Sequence, residues 1–246
     1  MTTPGHRIEG SKGHEGAYVP IWDREPPHPR KSPGLTRERI VAAAIELADS
    51  DGLDGLTIRG VADHLGSSPM TLYRHIPSKE DLIDLMLDTI VAEQDLGGLP
   101  TGNWIHDLTR IGHQQRAVRL RHPWSVVPPS RPPIGPHALR RMETALSVFP
   151  DDVPIQRRAW AITVIDAYVH GDASAELAER MEGMRTGLDK GQWQRAVASY
   201  LTKTLAAGDL PQLAAYMTAN TASHRDENFT DGLRAVISGI QAALTR

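Results

Sequence analysis

The chain has no cysteine in its 246 residues, which excludes a disulfide framework, a thiolate metal site and a cysteine nucleophile. It has no apolar run long enough to span a bilayer and no basic start leading into an apolar leader. These absences point to a cytoplasmic protein with no membrane partner. It also lacks a strong charge of either sign: the formal net charge of −3 argues against a general polyanion binder, so any nucleic-acid contact must rest on a local patch. The signatures G-x-S-x-G, the P-loop and H-E-x-x-H are missing, so an enzyme is not expected. His106 and His113 stand seven apart, whereas helical zinc pairs stand four apart, so no metal and no other cofactor is expected. What remains is 40% hydrophobic and 23% charged, enough for one large or two modest domains with a core.

Residues 1–34 are rich in Gly, Pro and charge and show no periodicity, which predicts a flexible arm. Its cations Arg7, Lys12, Arg24, Arg30 and Lys31 face four acids, so a solvated tail is favoured over an arm reaching into a minor groove. From Thr36 the pattern is helical, with Ile40, Ala44, Ile45 and Ala48 at helical spacing up to Gly52 and Gly55. Thr57 caps a short helix, Gly66 permits a sharp turn, and Ser68-Pro69 restarts the chain as a third helix that Pro77 closes. Ser78 and Asp81, three apart, open a fourth helix reaching about Asp95. Further helices are predicted over about 103–121, 136–148, 154–184, 192–207, 211–219 and 230–244, with a proline-rich loop after His122. No alternating strand pattern occurs, so the fold class is all-α: a helix-turn-helix domain over 35–80 and a second, larger helical domain over 81–246.

Two short helices joined by a tight glycine turn are the helix-turn-helix plan, whose second helix enters the major groove. Here that helix offers Ser67, Ser68, Met70, Thr71 and Tyr73, with Arg74 and His75 behind, as hydroxyls and methyls suited to phosphates and base edges. Arg59 can reach a guanine edge, and Lys79 can hold a phosphate at the start of the fourth helix. Residues 36–96 carry five Lys/Arg against twelve Asp/Glu, yet Arg59, Arg74, Lys79, His64 and His75 gather around the proposed face while the acids Asp84, Asp88, Glu93 and Asp95 fall on the helix leading away.

The stretch LTRERIVAAAIELADSDGLDGLTIRGVADHLGSSPMTLYRHIPSKEDLIDLML resembles the DNA-binding domain of the tetracycline-repressor family. The likeness rests on the DG turn, Thr-Ile-Arg opening the second helix, Leu-Gly at the turn, Thr-Leu-Tyr-x-His in the third and Lys-x-x-Leu after it. It implies that Thr57, Arg59, Ser68, Thr71, Tyr73, His75 and Lys79 occupy DNA-contacting positions, with Tyr73 and Lys79 on phosphates and Arg59 and the start of the recognition helix on bases. Pro69-Met70 departs from tetracycline repressors proper, where the proline comes one residue later, and leaves the base preference open. RHPWSVVPPSRPPIGPHALRRME and AITVIDAYVHG are similar to the C-terminal domain of actinobacterial members. The resemblance thus implies that 81–246 is a ligand-binding and dimerisation domain, and with it a homodimer, double-stranded operator DNA and a small-molecule inducer, with a large amphipathic aromatic compound fitting the family.

The residues of the second half add candidates of their own. The last helix has Leu233, Val236, Ile237, Ile240 and Leu244 on one face, and the long helix has Ile155, Ala159, Ile162 and Val169 on one side with Trp160, Val164 and Tyr168 on another. Helices apolar nearly all round need partners on both sides, so the dimer is expected through the long helix near 154–184 and the last helix near 230–244. Trp104, Leu108 and Ile111, with Trp124, Met142, Trp160 and Val164, are candidates to line an apolar pocket, anchored by His113, Arg116 or Tyr168; plain core filling is the competing reading. The function expected is a ligand-responsive repressor on a pseudo-palindromic operator. The alternative is an all-α small-molecule-binding or sequestering protein whose helix-turn-helix is only structural.

Overall fold

Four short-range hydrogen bonds start the first four helices. Thr36 Oγ1 accepts from the Arg39 N–H at 3.3 Å and opens α1 (Arg37–Gly55), which is interrupted at Gly52 and buries Ile40, Val41, Ala44 and Ala48. Thr57 accepts from Gly60 at 2.9 Å to open α2 (Ile58–His64). Ser68 accepts from Thr71 at 3.3 Å to open α3 (Pro69–His75), with proline in the first turn. Ser78 accepts from Asp81 at 3.0 Å to open α4 (Lys79–Val91). Each cap satisfies an N–H that a helix start leaves without a partner. Between α2 and α3 the chain reverses at Gly66 with φ 61°, a conformation that side chains with a Cβ disfavour.

The computed structural model describes residues 19–24, 35–127, 133–188, 190–206, 209–219 and 225–245. Among them every regular element is helical, as the sequence predicts. The later helices are α5 (Trp104–Arg121), a 3-10 turn at Pro123–Val126, α6 (Pro136–Ser147), α7 (Ile155–Thr186), α8 (Lys190–Leu205), α9 (Pro211–Ala219) and α10 (Arg225–Leu244). None of the described helices is long and apolar enough to cross a membrane.

Two apolar cores organise the chain. The first joins α1 to α4 and takes in Val118 of α5 and Trp124 of the 3-10 turn. The second joins α5, α6, α7 and α10 around Leu108, Ile111, Ile162, Ile165, Phe229, Leu233 and Ile237. α4 serves both halves: Leu82, Leu85, Met86 and Ile90 pack in the first core while the helix also lies against α6.

The structure corrects several expectations. The arm is not wholly flexible: Ile21–Asp23 form a 3-10 turn, Ile21 is fully buried in the first core, and Arg24 pairs with Asp81 at 2.8 Å. A short apolar cluster, Val19, Ile21 and Trp22, has no periodicity to announce it; only the gap among the folded helices selects Ile21. Residues 1–18 and 25–34, with Arg7, Lys12, Arg30 and Lys31, lie outside the described residues. α4 ends at Val91 rather than near Asp95, with Glu93 turned toward Arg121 and His122. α10 begins at Arg225 rather than Thr230, because Phe229, 1% exposed, anchors a polar first turn. On α7, Ile155 and Ala159 are exposed whereas Ile162 and Val169 are buried, so these four do not form one buried face.

Candidate functional site

The proposed reading head presents its side chains on the outside of α2 and α3. Met70 is 68% and Tyr73 48% exposed. Arg59 is exposed, with Asp63 a loose neighbour at 3.9 Å. Ser68 and Thr71 hydroxyls lie 2.9 Å apart, so the recognition helix begins with a linked pair of groups that donate and accept. Thr57 is exposed while serving as the α2 cap. Ser67 is partly buried and donates its backbone N–H to Ala62 at 2.8 Å. Arg74 is exposed. Burial, together with Arg37 and Arg74, holds the His75 imidazole below its ordinary range, so it is neutral at neutral pH and adds no charge to the head. His64 turns to Glu46 of α1 at 3.4 Å. The Lys79 ammonium donates to the Leu53 carbonyl at 3.1 Å, clamping the start of α4 onto the end of α1, and two of its three protons remain for another partner.

A cavity of about 400 Å³ opens between α4, α5, α6 and α7. Its apolar wall includes Leu87, Ile90, Val118 and Met142, and its polar wall holds Gln94, Gln115, Arg119, Ser125, Arg141 and Asp166. The size and the mix of an apolar lining with a few polar groups are those of a small-molecule site. Arg141 is paired, donating to Asp166 at 2.7 Å and to Gln94 at 3.2 Å.

Of the ten pocket residues expected from sequence, the structure brings only Met142 into this wall. Leu108 and Ile111 are buried in the second core, where Trp104 stacks on Phe149 at 5.6 Å and Val164 packs alongside. Trp124 closes the first core and donates its indole N–H to Asp49 at 2.7 Å. His113 sets its ring edge-on to Phe229, and Tyr168 stacks on Phe229 and donates to its carbonyl at 3.0 Å. Trp160 is 39% exposed beneath Arg157. Arg116 is buried between Asp172, Glu176 and Asp226, a fully paired cation away from the cavity. The reason lies on α5. Residues 104, 108, 111, 115 and 118 run along one stripe, but α7 and α10 seal its first half, while its second half, with Gln115 and Val118, faces the cavity. The stripe was legible; where along it the packing opens was not.

Two links tie the cavity to the head. Asp88 of α4 is 4% exposed and its carboxylate accepts from the Ala138 N–H at 2.9 Å and the His137 N–H at 3.4 Å, capping α6. The approach is so close that a Cβ on Gly135 would stand 2.2 Å from the Asp88 carboxyl carbon. At the end of α5, His122 sets Nδ1 2.8 Å from Asp49 of α1 and Nε2 3.1 Å from Glu93. Burial pushes the Glu93 carboxyl up, but hydrogen bonds from His122 and Arg121 outweigh it and hold the group below the usual range.

The chain matches the domain described as "Bacterial regulatory proteins, tetR family" over residues 40–86 and "Tetracyclin repressor-like, C-terminal domain" over residues 96–244. It is 36% identical over 231 residues to the transcriptional repressor DrrR1 of Streptomyces coeruleorubidus, covering 92% of this chain and 85% of the relative. It is 32% identical over 230 residues to a helix-turn-helix transcriptional regulator of Saccharopolyspora erythraea, covering 93% and 94%. Its fold is similar to that of ActR of Streptomyces coelicolor, solved in complex with actinorhodin, with a TM-score of 0.70, 25% identity and 87% of this chain and 100% of that one covered. The chain therefore belongs to the tetracycline-repressor family of bacterial regulatory proteins, which are DNA-binding transcriptional regulators and not enzymes.

Proposed function

We propose that this ligand-responsive transcriptional repressor holds a pseudo-palindromic operator as a homodimer, and that a small molecule in the cavity between α4, α5, α6 and α7 releases it. Each subunit sets α3 into a major groove. Arg59 and the side chains of Ser67, Ser68, Met70 and Thr71 meet base edges, while Thr57, Tyr73, His75 and Lys79 position the backbone. Two such heads about 34–36 Å apart, one helical turn, read the two half-sites.

The observation that carries the reading is the Asp88 cap, because it joins the cavity to the head through one rigid element. α4 contributes Leu87, Ile90 and Val91 to the cavity wall, holds α6 through Asp88, and is clamped to α1 through Lys79. A ligand that favours a displaced α6 biases α4, and α4 carries the bias to the head. The ligand must bind the two arrangements with different affinity for this to release DNA.

Dimerisation through α7 and α10 is supported by what those helices leave exposed. The apolar stripe of α10, with Leu233, Val236, Ile237, Ile240 and Leu244, packs into the chain's own second core. Outward, α7 shows Ala159, Thr163, Ala167, Gly171, Ala175 and Ala178, and α10 shows Ala235, Ser238, Gly239 and Ala242. Small side chains at successive turns let helices of two copies approach closely, and a two-fold pairing would set both heads on one side.

The test is selection of bound duplexes from a random DNA pool at two salt concentrations. One palindrome enriched at both is the expected result. Binding without sequence preference that fades with modest salt would leave the helix-turn-helix as scaffold.

A further inference from the structure

Three of the four buried side-chain polar atoms that have no hydrogen-bond partner among the described residues belong to one cavity wall: Gln115 Oε1, Arg119 Nε and Ser125 Oγ. Buried polar groups are nearly always satisfied, so three orphans converging on one space point to something that completes them. The contrast along α5 sharpens this. Arg116 holds three carboxylates, whereas Arg119, one turn later, forms no ion pair and no hydrogen bond among the described residues. Among the described residues, the one carboxylate in the cavity wall, Asp166, is taken by Arg141 at 2.7 Å.

Among the described residues, the charges facing Arg119 leave a surplus of one positive charge. Arg141 and Asp166 cancel each other. Burial and the presence of Arg119 hold His170 below its ordinary range, so it is neutral at neutral pH. Burial weakens the hold of the Arg119 guanidinium on its proton, with Asp166 acting in the opposite sense and Arg141 in the same sense as burial, but an arginine stays charged throughout the physiological range. Arg119 is partly buried with its Nε fully covered, and a charge drawn out of water without a partner is costly to the fold.

We propose that the cavity recognises an organic acid: a largely apolar, ring-bearing molecule whose ionised oxygen accepts from Arg119 and which places a neighbouring hydroxyl on Gln115 Oε1 and Ser125 Oγ. The inference rests on the cavity being the inducer site. It adds the sign of the ligand's charge and the residue that reads it. The guanidinium offers several donors in a fixed plane, which suits a carboxylate or an acidic hydroxyl conjugated with a carbonyl. The apolar wall of Leu87, Ile90, Val118 and Met142 takes the ring body.

The experiment titrates the full-length protein with a panel of three-ring aromatic carboxylates, each beside its neutral carboxamide and its aminomethyl analogue, and reads Kd by calorimetry. The acids are expected to bind about tenfold or more tightly than their amides, the range that a hydrogen bond to a charged group supplies. Arg119→Gln should erase that preference while keeping the weaker binding of the amides. The same variant should melt no lower than the parent without ligand, since it removes an unpaired, partly buried charge; this separates lost recognition from lost folding. Equal or tighter binding of the amides or amines, an acid preference that survives Arg119→Gln, or no binding by any acid overturns the proposal. Operator selection with the unliganded protein tests the underlying reading separately. An operator complex released only by neutral or cationic compounds would keep that reading and remove this one.

Discussion

In the reading head, the polar side chains that organise the helices find their partners three residues away: Thr57 at Gly60, Ser68 at Thr71, Ser78 at Asp81. Around the cavity the partners are far apart in the chain. Asp88 caps a helix 50 residues on, and Arg141 reaches Asp166, 25 residues on, and Gln94, 47 residues back. The head also keeps its chemistry outside, with Arg59, Met70 and Tyr73 exposed, while Gln115 of the cavity wall and Asp88 at the contact of α4 with α6 are buried. A head built from local bonds is a rigid unit that can be moved whole. A cavity built from distant bonds changes whenever the helices around it shift. The difference suits a device in which one part senses and the other is carried.

The largest expected effect breaks the simple form of this contrast, because distant residues also support the head. Ile21 is fully buried in the first core, so Ile21→Ala should cost about 2–5 kcal/mol, read by urea unfolding of the full chain. An unchanged midpoint would mean that the 3-10 turn is not anchored. Next, Arg59→Ala should weaken operator binding by about 1–3 kcal/mol and relax one base position, measured by competition binding, while leaving the unfolding midpoint almost unmoved because the side chain is exposed. Asp88→Ala removes the cap of α6 and should cost about 0.5–2 kcal/mol of stability. Its sharper signature is functional: operator binding persists while ligand-induced release is blunted. Release at the parental ligand concentration would show that α6 and α4 communicate by another route.

A smaller effect appears with pH. Burial pushes the Asp107 carboxyl up, but hydrogen bonds from the Thr101 hydroxyl and backbone N–H outweigh it and hold the group below the usual carboxylate range. A depressed folded-state pKa contributes stability that is present above the ordinary aspartate range and is lost as pH falls through the folded value. Acid unfolding should therefore steepen below the ordinary range, and Asp107→Asn should lower the neutral-pH stability and flatten that limb. The smallest effect is an expected absence. Trp160→Ala should leave the affinity for an aromatic acid within twofold of the parent, since Trp160 lies outside the cavity wall, whereas Met142→Ala should weaken it. A large loss in Trp160→Ala would move the ligand site.

Much of the head was legible because helix starts and turns are events of three or four residues. Thr36, Thr57, Ser68 and Ser78 all cap where the sequence places them, and Gly66 turns where the chain must reverse. The cavity was legible only as a stripe on α5. The aromatics chosen to line it instead fill cores or face solvent, because an aromatic side chain serves core packing as readily as ligand binding. The better signal was polar. Gln115 on the same stripe as Leu108 and Ile111 breaks an apolar pattern, and a polar residue at a buried position asks for a partner.

By itself, the amino-acid sequence determined the all-α class, the helix-turn-helix and the side chains it presents, since these follow from helical periodicity and from caps a few residues long. Only the tertiary structure decided that Ile21 belongs to the core, that Asp88 joins α4 to α6, and that the cavity opens over Gln115 and Arg119 rather than over Trp104. Those outcomes depend on which distant helices come together and how fully their side chains fill the space between them, and a one-dimensional pattern does not specify that sum of contacts.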